Sequence, residues 1–304
     1  MMRLLAIFCI LISLAAPAAA QGRETLGRGW LLTNDLLGDT HDRWRSGSLA
    51  SSRVWGPGWN GALPGRFGEV IELRFNGEIF SPENLARPAA GDRPFAGALS
   101  LGLHTHFARG GIDYAVGADI VLTGPMTGLD DFQGLVHDVL GGRDISRPVR
   151  NAQVANDVNP TLVIEAGRDL GFGANARLRP FVEARWGFET MIRAGADLTI
   201  GQLGQGGLMI RDPATGHRYA TIAEPHVGTS FVLGVDTAYV DRSEVLSSAR
   251  GFRLTDARNR VRAGVNWQGA KGGSLFYGLT WLDKEFKAQR ESQIVGSVRL
   301  KLKF

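Results

Sequence analysis

Apolar and polar residues alternate along most of the chain with a period of two. The clearest case is the last segment, whose apolar face carries Ile294, Gly296, Val298, Leu300, Leu302 and Phe304. The same alternation recurs at 71–76, 113–122, 182–188, 231–239, 261–268 and 275–281. A period of two places successive side chains on opposite faces of an extended strand. The pattern therefore predicts an all-β protein whose strands have one apolar and one polar face.

Three features favour a closed barrel in a membrane over a soluble β-sandwich. Several apolar faces end in Trp or Tyr, as the aromatic girdle of a membrane barrel does. Charged residues lie in the middle of the opposite faces, where a polar lumen tolerates them. The printed sequence also ends on Phe304, a frequent terminus of outer-membrane barrels. Roughly ten to fourteen strands fit the length, and we predict a transmembrane antiparallel β-barrel of about twelve strands.

The first twenty residues have the organisation of a secretory signal peptide, with Arg3, an apolar stretch and alanines at 18–20. We expect residues 1–20 to be removed and residues 21–304 to form one barrel domain in the outer membrane of a Gram-negative bacterium. The single cysteine, Cys9, lies in the signal, so disulfides and cysteine zinc sites are not expected. A net charge of +4, from 34 basic and 30 acidic residues, does not indicate nucleic-acid binding.

One segment departs from the alternation. Residues 127–142 read TGLDDFQGLVHDVLGG, and their apolar residues follow helical spacing at Phe132, Leu135, Val136, Val139 and Leu140. An aspartate at 130–131 can cap the start of such a helix, and the glycines at 141–142 can end it. Gln133 and His137 are four residues apart and lie on one face beside the apolar stripe. The helix is either a plug, a loop ornament, or a support that holds His137 against a site in the barrel wall.

Standard catalytic motifs are absent from the sequence, including G-x-S-x-G, H-E-x-x-H and the Walker A loop. His104 and His106 share one strand face, but without a nearby carboxylate partner we expect them to be structural. His217 and His226 lie in turn-like contexts and carry no functional signal.

Five stretches resemble, in order, the outer-membrane lipid A 3'-O-deacylase family. They are LTNDLLGDTHDRWRSG, EIFSPENLAR at 78–87, GDRPFAGAL at 91–99, GADIVLTGP at 117–125 and DFQGLVHDVLGG at 131–142. The spacing of Pro148, Gln153 and Asn156 is similar to the segment after that family's helix. These motifs cover the first half of the mature chain, whereas the second half shares only the barrel pattern and the terminal Phe. The resemblance implies a twelve-stranded barrel that hydrolyses an ester-linked acyl chain of lipid A in a calcium-dependent way.

The resemblance also implies an active site. Asn34 and Asp35 correspond to the family's Asn-Asp pair, and Gln133 and His137 to its helix pair, with His137 as the general base. Arg87 falls where the family can carry a Lys, and this exchange keeps the charge but not the shape.

Two positions depart from the family pattern. Its Y-T-x-G motif reads WRSG at 44–47, so the active-site Thr aligns with Arg45 unless a one-residue shift brings Ser46 into place. An acidic residue six positions after the histidine would be Arg143 here, with Asp144 beside it. The resemblance thus implies Ca²⁺, with Asp35 and Asp144 as its candidate ligands.

The chemistry of these side chains agrees with ester hydrolysis. A histidine can take a proton from water near neutral pH, and Asp35 can orient the imidazole or bind a cation. Ca²⁺ would polarise the ester carbonyl, while Asn34 can donate to the developing oxyanion. Arg87 can hold a phosphate or the oxyanion.

Two hypotheses for function follow. The first is an outer-membrane acyl hydrolase whose partner is lipid A within lipopolysaccharide, cut at the 3'-position by resemblance. The alternative is a non-catalytic barrel, either a narrow channel or a degenerate relative, and the arginines at 45 and 143 favour it.

Overall fold

The computed structural model describes residues 22–142, 144–223 and 226–302. The predicted signal peptide and the terminal Phe304 lie outside the described residues. Among the helices of the described part, none is both long and apolar enough to cross a membrane.

Strands dominate the described chain. They are β1 (Glu24–Asn34), β2 (Trp44–Gly56), β3 (Val70–Ser81), β4 (Ala96–Arg109), β5 (Ile112–Thr123), β6 (Asp157–Gly167), β7 (Leu170–Phe172), β8 (Ala176–Trp186), β9 (Glu189–Ile200), β10 (Leu208–Arg211), β11 (Arg218–Ile222), β12 (Gly228–Ser243), β13 (Arg258–Gln268), β14 (Ser274–Leu282) and β15 (Gln293–Lys301). Two α-helices follow β5, α1 (Leu129–Leu140) and α2 (Arg147–Asn151). Single 3-10 turns lie at Asp35–Leu37, Pro125–Thr127 and Ser248–Arg250.

Twelve of these strands form a closed antiparallel barrel. They are β1 to β6, β8, β9 and β12 to β15. β1 closes the sheet on β15, with Leu32 opposite Val298, and β6 pairs with β8, with Leu162 opposite Trp186. The closing pair β1 and β15 is short, with three residue pairs, but it joins the two ends of the sheet into the closed form that backbone groups in lipid require. The prediction of a twelve-stranded barrel is confirmed.

The barrel wall carries its charges inside and its large apolar side chains outside. Ionisable residues of the inner face are buried, among them Glu72, Arg74, Arg193, Asp236, Arg260 and Arg262. Apolar residues of the outer face are exposed, among them Leu162, Val182, Ile192, Leu233, Val261, Trp267 and Leu279. This distribution is the reverse of a soluble domain and is typical of a barrel in lipid.

The connection between β9 and β12 folds back into the lumen, and we call residues 201–223 the plug. The hydroxyl of Tyr219 lies 2.7 Å from Ser52 Oγ on β2, and Arg211 Nε donates to Glu165 on β6 at 2.8 Å. The plug therefore contacts widely separated strands of the wall from the inside. It enters from the end that holds the start of β1 and the end of β15, which we call the terminal end.

The plug packs closely enough to require glycine in the wall. A Cβ on Gly27 of β1 would lie 2.1 Å from the carbonyl oxygen of Thr221. Buried apolar side chains of plug and wall share one cluster, which contains Leu31, Ala50, Val54, Val70, Leu208, Ile210, Tyr219, Ile222 and Phe276. The apolar core of the molecule thus lies between the plug and strands β1 to β3 and β14.

Helix α1 lies at the opposite end of the barrel, which we call the helical end. Its first residue, Leu129, covers Gly97 of β4, where an added Cβ would lie 2.8 Å from Leu129 Cβ. The plug hypothesis for this helix is therefore wrong, because the lumen is filled by residues 201–223 and α1 packs against the wall near the loops.

Candidate functional site

The Asn34-Asp35 motif lies on the outer face of the barrel, where β1 ends. The Thr33 hydroxyl lies 2.7 Å from Ser297 Oγ on the inner face, so the strand period places Asn34 outside. Asn34 Oδ1 accepts from Leu36 N at 2.9 Å and caps the 3-10 turn. This turn folds back over β15, where a Cβ on Gly296 would lie 2.2 Å from the Leu37 carbonyl.

Asp35 is a buried carboxyl whose hydrogen bonds do not fully replace its lost hydration. It is 1% exposed, and its Oδ2 accepts from Arg43 N at 2.9 Å. Burial, followed by the negative charge of Asp42, raises the pKa of Asp35 to about 8. Asp39 adds to the same effect. The turn therefore holds more negative charge than its own hydrogen bonds stabilise.

Helix α1 buries its polar face and exposes its apolar one. Asp130, Gln133 and His137 are buried, whereas the apolar stripe is open at Phe132 (54%), Leu135 (62%) and Val139 (76%). The helix therefore packs on protein through its polar face and leaves its apolar stripe uncovered. The helix begins after Gly128 without a side-chain cap, so the predicted aspartate cap is wrong, and it ends at Gly141 in the left-handed conformation as predicted.

His137 meets a carboxylate that sequence analysis missed. His137 Nε2 lies 3.1 Å from Asp42 Oδ2, in the loop that follows the Asn34-Asp35 turn. Gln133 Nε2 donates to Asp42 Oδ1 at 3.3 Å and lies 3.4 Å from His137 Nε2. The group placed to orient the imidazole is therefore Asp42 and not Asp35. The only sequence signal for it was a third acidic residue close behind the Asn34-Asp35 motif.

A cavity of about 630 Å³ opens beside this cluster. His137, Asp42 and Leu36 line one part of it, and the cations Arg87 and Arg290 line another. The backbone N–H of Arg87 donates to Asn84 Oδ1 at 3.0 Å, which fixes the turn that presents its side chain. Arg43 lines it as well, so the cavity combines histidine and carboxylate side chains, three guanidinium groups and an apolar edge.

Ser46 lies near Asn34 but is engaged elsewhere. Its carbonyl accepts from Asn34 Nδ2 at 2.8 Å, while its hydroxyl contacts Ser81 Oγ in a buried position. The strand register shifts between Arg45 and Gly47, and Arg45 forms an ion pair with Glu285 at 2.6 Å. Of the two candidates for the family's Thr position, Arg45 is thus part of an ion-pair network and Ser46 is hydrogen-bonded to Ser81.

Asp144 is exposed and does not line the cavity. Its neighbour at position 143 is outside the described residues. Within the residues that are described, no group of three or more His, Cys, Asp or Glu side chains is arranged to hold a metal ion. Gln133 Oε1, however, is buried and has no hydrogen-bond partner in that part of the chain. A buried oxygen acceptor of this kind suits a hard cation or a water molecule.

The histidines of the lumen also have partners that sequence analysis missed. His104 Nε2 lies 2.9 Å from Asp119 Oδ1, and His106 Nε2 lies 2.7 Å from Glu72 Oε2. The carboxylates belong to neighbouring strands, so their proximity follows from strand register and not from sequence distance.

Comparison with known proteins identifies a family and supports the fold. A family model described as "Outer membrane protein LpxR" matches residues 4–304. LpxR from Salmonella typhimurium aligns with a TM-score of 0.74 at 18% identity, over 90% of this chain and 98% of that chain. The beta domain of the Bordetella autotransporter BrkA aligns at 11% identity over 92% of this chain and 100% of that chain. Its TM-score of 0.41 is too low to indicate a shared fold. No curated protein matches the chain.

Proposed function

This chain belongs to the LpxR family of outer membrane proteins, and we propose that it hydrolyses an ester-linked acyl chain of lipid A at the outer face of its barrel. The 3'-position is the bond proposed for cleavage, from the resemblance of the sequence motifs. Export by a cleaved signal peptide and insertion in the outer membrane are part of the same proposal.

The His137–Asp42 pair beside the cavity carries the proposal. A carboxylate 3.1 Å from the imidazole holds the ring in place and stabilises the imidazolium formed when His137 accepts a proton. Gln133 contacts both members and restricts their motion. A histidine supported in this way, next to a cavity of substrate size, has the properties of a general base.

The reaction needs one proton transfer in each direction. His137 takes a proton from water, and the water oxygen attacks the ester carbonyl carbon to give a tetrahedral oxyanion. The bond to the sugar oxygen then breaks, and His137 returns the proton to that oxygen, which releases a fatty acid and a free hydroxyl. Arg87 supplies positive charge at the cavity for the oxyanion or for a phosphate of the glycolipid.

Asn34 has a more limited role than the sequence suggested. Its side chain caps the turn through Oδ1 and donates one N–H to the Ser46 carbonyl. A second N–H of the same amide remains for the oxyanion. Its main contribution is to fix the turn that carries Asp35.

Calcium fits the oxygen-rich part of the site. The under-compensated carboxyl of Asp35 and the unpartnered Gln133 Oε1 are donors of the type that Ca²⁺ prefers. When bound there, Ca²⁺ would polarise the ester carbonyl. Asp144 stays a candidate ligand by resemblance alone.

Access from the membrane follows from the position of the site. Leu36 lines the cavity and is 46% exposed, and the chain that follows is held on β15 because Asp39 N donates to the carbonyl of the exposed Ile294 at 3.0 Å. An acyl chain can therefore reach His137 from the lipid layer without crossing water.

The structure bears differently on the two forms of the non-catalytic alternative, the narrow channel and the degenerate relative. The plug occupies much of the lumen and contacts the wall on several sides, which disfavours an open channel. A degenerate relative remains the alternative, since Arg45 is one of the two candidates for the family's Thr position and lies in an ion-pair network.

Mass spectrometry of purified lipid A, incubated with the folded protein with calcium or with EDTA, tests the proposal. We expect loss of one ester-linked acyl chain with calcium, and intact lipid A with EDTA or with His137→Ala. Asp138→Asn, exposed on the same helix, is the matched control and should behave as wild type. Unchanged lipid A in the presence of a folded wild-type barrel and calcium would reject the hydrolase.

A further inference from the structure

A second cavity, of about 300 Å³, lies in the lumen at the terminal end, far from His137 in the fold. It separates the plug from the inner face of strands β3 to β6 and β8. The β2–β3 connection, at Trp59 and Leu63, and the start of the plug, at Gly204, also line it. The chemistry of this space is independent of the site described above.

Positive charge exceeds negative charge around this cavity. Six arginines line it, at Arg74, Arg177, Arg179, Arg185, Arg211 and Arg218. Four carboxylates line it, at Asp113, Glu165, Asp169 and Glu183. His104 and His106 complete the polar wall.

Most of these carboxylates are already held by the same few arginines. Arg179 contacts Asp113 at 2.8 Å and Asp169 at 3.5 Å, and Arg211 contacts Glu165 at 2.8 Å. These carboxylates are therefore neutralised by the arginines that they contact, and they compensate little of the positive charge on the remaining guanidinium groups.

Arg177 and Arg218 are the two arginines left over. Each donates to a backbone carbonyl, Arg177 to Leu203 and Arg218 to Met209, and neither forms an ion pair with a carboxylate of the described chain within 4.0 Å. Burial, and then the positive charges of Arg179 and Arg211, lower the pKa of Arg218 to about 10; this residue belongs to the plug and not to the wall. An anion between these groups would relieve that repulsion.

We propose that this lumen cavity binds a phosphate-type oxyanion between Arg177 of β8 and Arg218 of the plug. Guanidinium groups match the geometry of phosphate oxygens through paired N–H donors. A charged, arginine-lined space excludes an apolar ligand, because burying these charges without an anion is unfavourable. A free phosphate compound and the phosphate headgroup of a lipid both carry such an oxyanion.

Isothermal titration calorimetry on the folded mature protein in a nonionic detergent tests this site at constant ionic strength. One arm uses inorganic pyrophosphate and the other glycerol phosphate, so that a free anion and a lipid headgroup are distinguished. We expect saturable binding in at least one arm, weakened about tenfold or more in Arg218→Gln and in Arg177→Gln. Either variant alone suffices if the other fails to fold.

Arg66→Gln is the matched control. This arginine lies in the β2–β3 connection at the same end, its side chain is 83% exposed, and it contacts only Glu69 among the ion pairs of the described residues. Binding to Arg66→Gln should equal that to wild type. Absence of saturable binding to wild type, unchanged affinity in both cavity variants, or an equal loss in Arg66→Gln would each overturn the proposal.

Discussion

Three histidine–carboxylate pairs of similar length occupy two very different regions. His104–Asp119 and His106–Glu72 lie in the lumen at 2.9 Å and 2.7 Å, whereas His137 meets Asp42 at 3.1 Å outside the barrel. Distance alone does not distinguish the proposed general base from its lumen counterparts. The difference lies in what surrounds each pair.

In the lumen, arginines neutralise the carboxylates. Glu72 is fully buried and accepts from Arg74 at 2.8 Å through both of its oxygens, besides its contact with His106. At the helical end, Asp35 and Asp42 lie close together without an arginine ion pair in the described chain, beside a cavity and an apolar surface. A carboxyl with a raised pKa beside a second carboxylate and an open space, and not pair geometry, marks the site at which a proton or a cation can be exchanged.

The largest expected effect comes from removing the outer histidine. His137→Ala should lower kcat on lipid A by about 10²- to 10⁴-fold, because water loses its general base. The unfolding temperature, followed by the heat-dependent shift of the barrel on SDS gels, should change little since His137 lies in a loop helix and not in the wall. A loss of activity that merely tracked a loss of folded barrel would contradict the comparison.

The opposite behaviour is expected for the lumen. Glu72→Gln leaves Arg74 and the His106 ring without their buried carboxylate, and breaking such a pair costs about 3–5 kcal/mol. The same gel assay should report a clearly lower unfolding temperature, while the folded fraction keeps wild-type specific activity. If Glu72→Gln were as stable as wild type, the lumen network would not be the stabilising region we describe.

Asp42→Asn tests the one proposed site residue that the structure revealed and the sequence motifs did not. We expect kcat to fall about 10- to 100-fold, less than for His137→Ala, because the imidazolium loses its carboxylate but the base remains. The unfolding temperature on SDS gels should stay close to that of wild type, since Asp42 lies in a loop outside the barrel wall. A purely structural role for Asp42 would lower activity only together with the folded fraction.

The barrel was predictable because every wall strand has the same two environments. Residues such as Val261 and Arg262 alternate between the outer face and the lumen, so the period of two survives in the sequence. The length allowed about ten to fourteen strands, and the family resemblance implied twelve. The plug was not predictable in this way. Residues 208–222 are buried on both faces of a short hairpin, and such strands carry no alternation.

The site was predictable only as far as sequence motifs reach. Asn34, Asp35, Gln133, His137 and Arg87 were all named from the sequence, and the structure gathers them at the helical end. Asp42 was missed because its proximity to His137 depends on how a loop after β1 meets a helix after β5. The direction of α1 was also missed, since an apolar stripe indicates packing on protein only where the surroundings are water.

The exposed stripe of α1 gives the smallest expected effect and the sharpest test of that environment. If Leu135 and Val139 face lipid, Leu135→Asn combined with Val139→Asn should slow hydrolysis of lipid A in bilayer vesicles by about tenfold or less, because polar groups there oppose seating of the helix in the apolar layer. Hydrolysis of a short-chain, water-soluble ester should be unaffected, as His137 and Asp42 lie on the other face of the helix. Asp138→Asn, exposed beside the stripe, should change neither rate. Equal slowing on both substrates would instead mean that the stripe supports the fold of the site, and the helical end would then resemble the lumen more closely than its open cavity suggests.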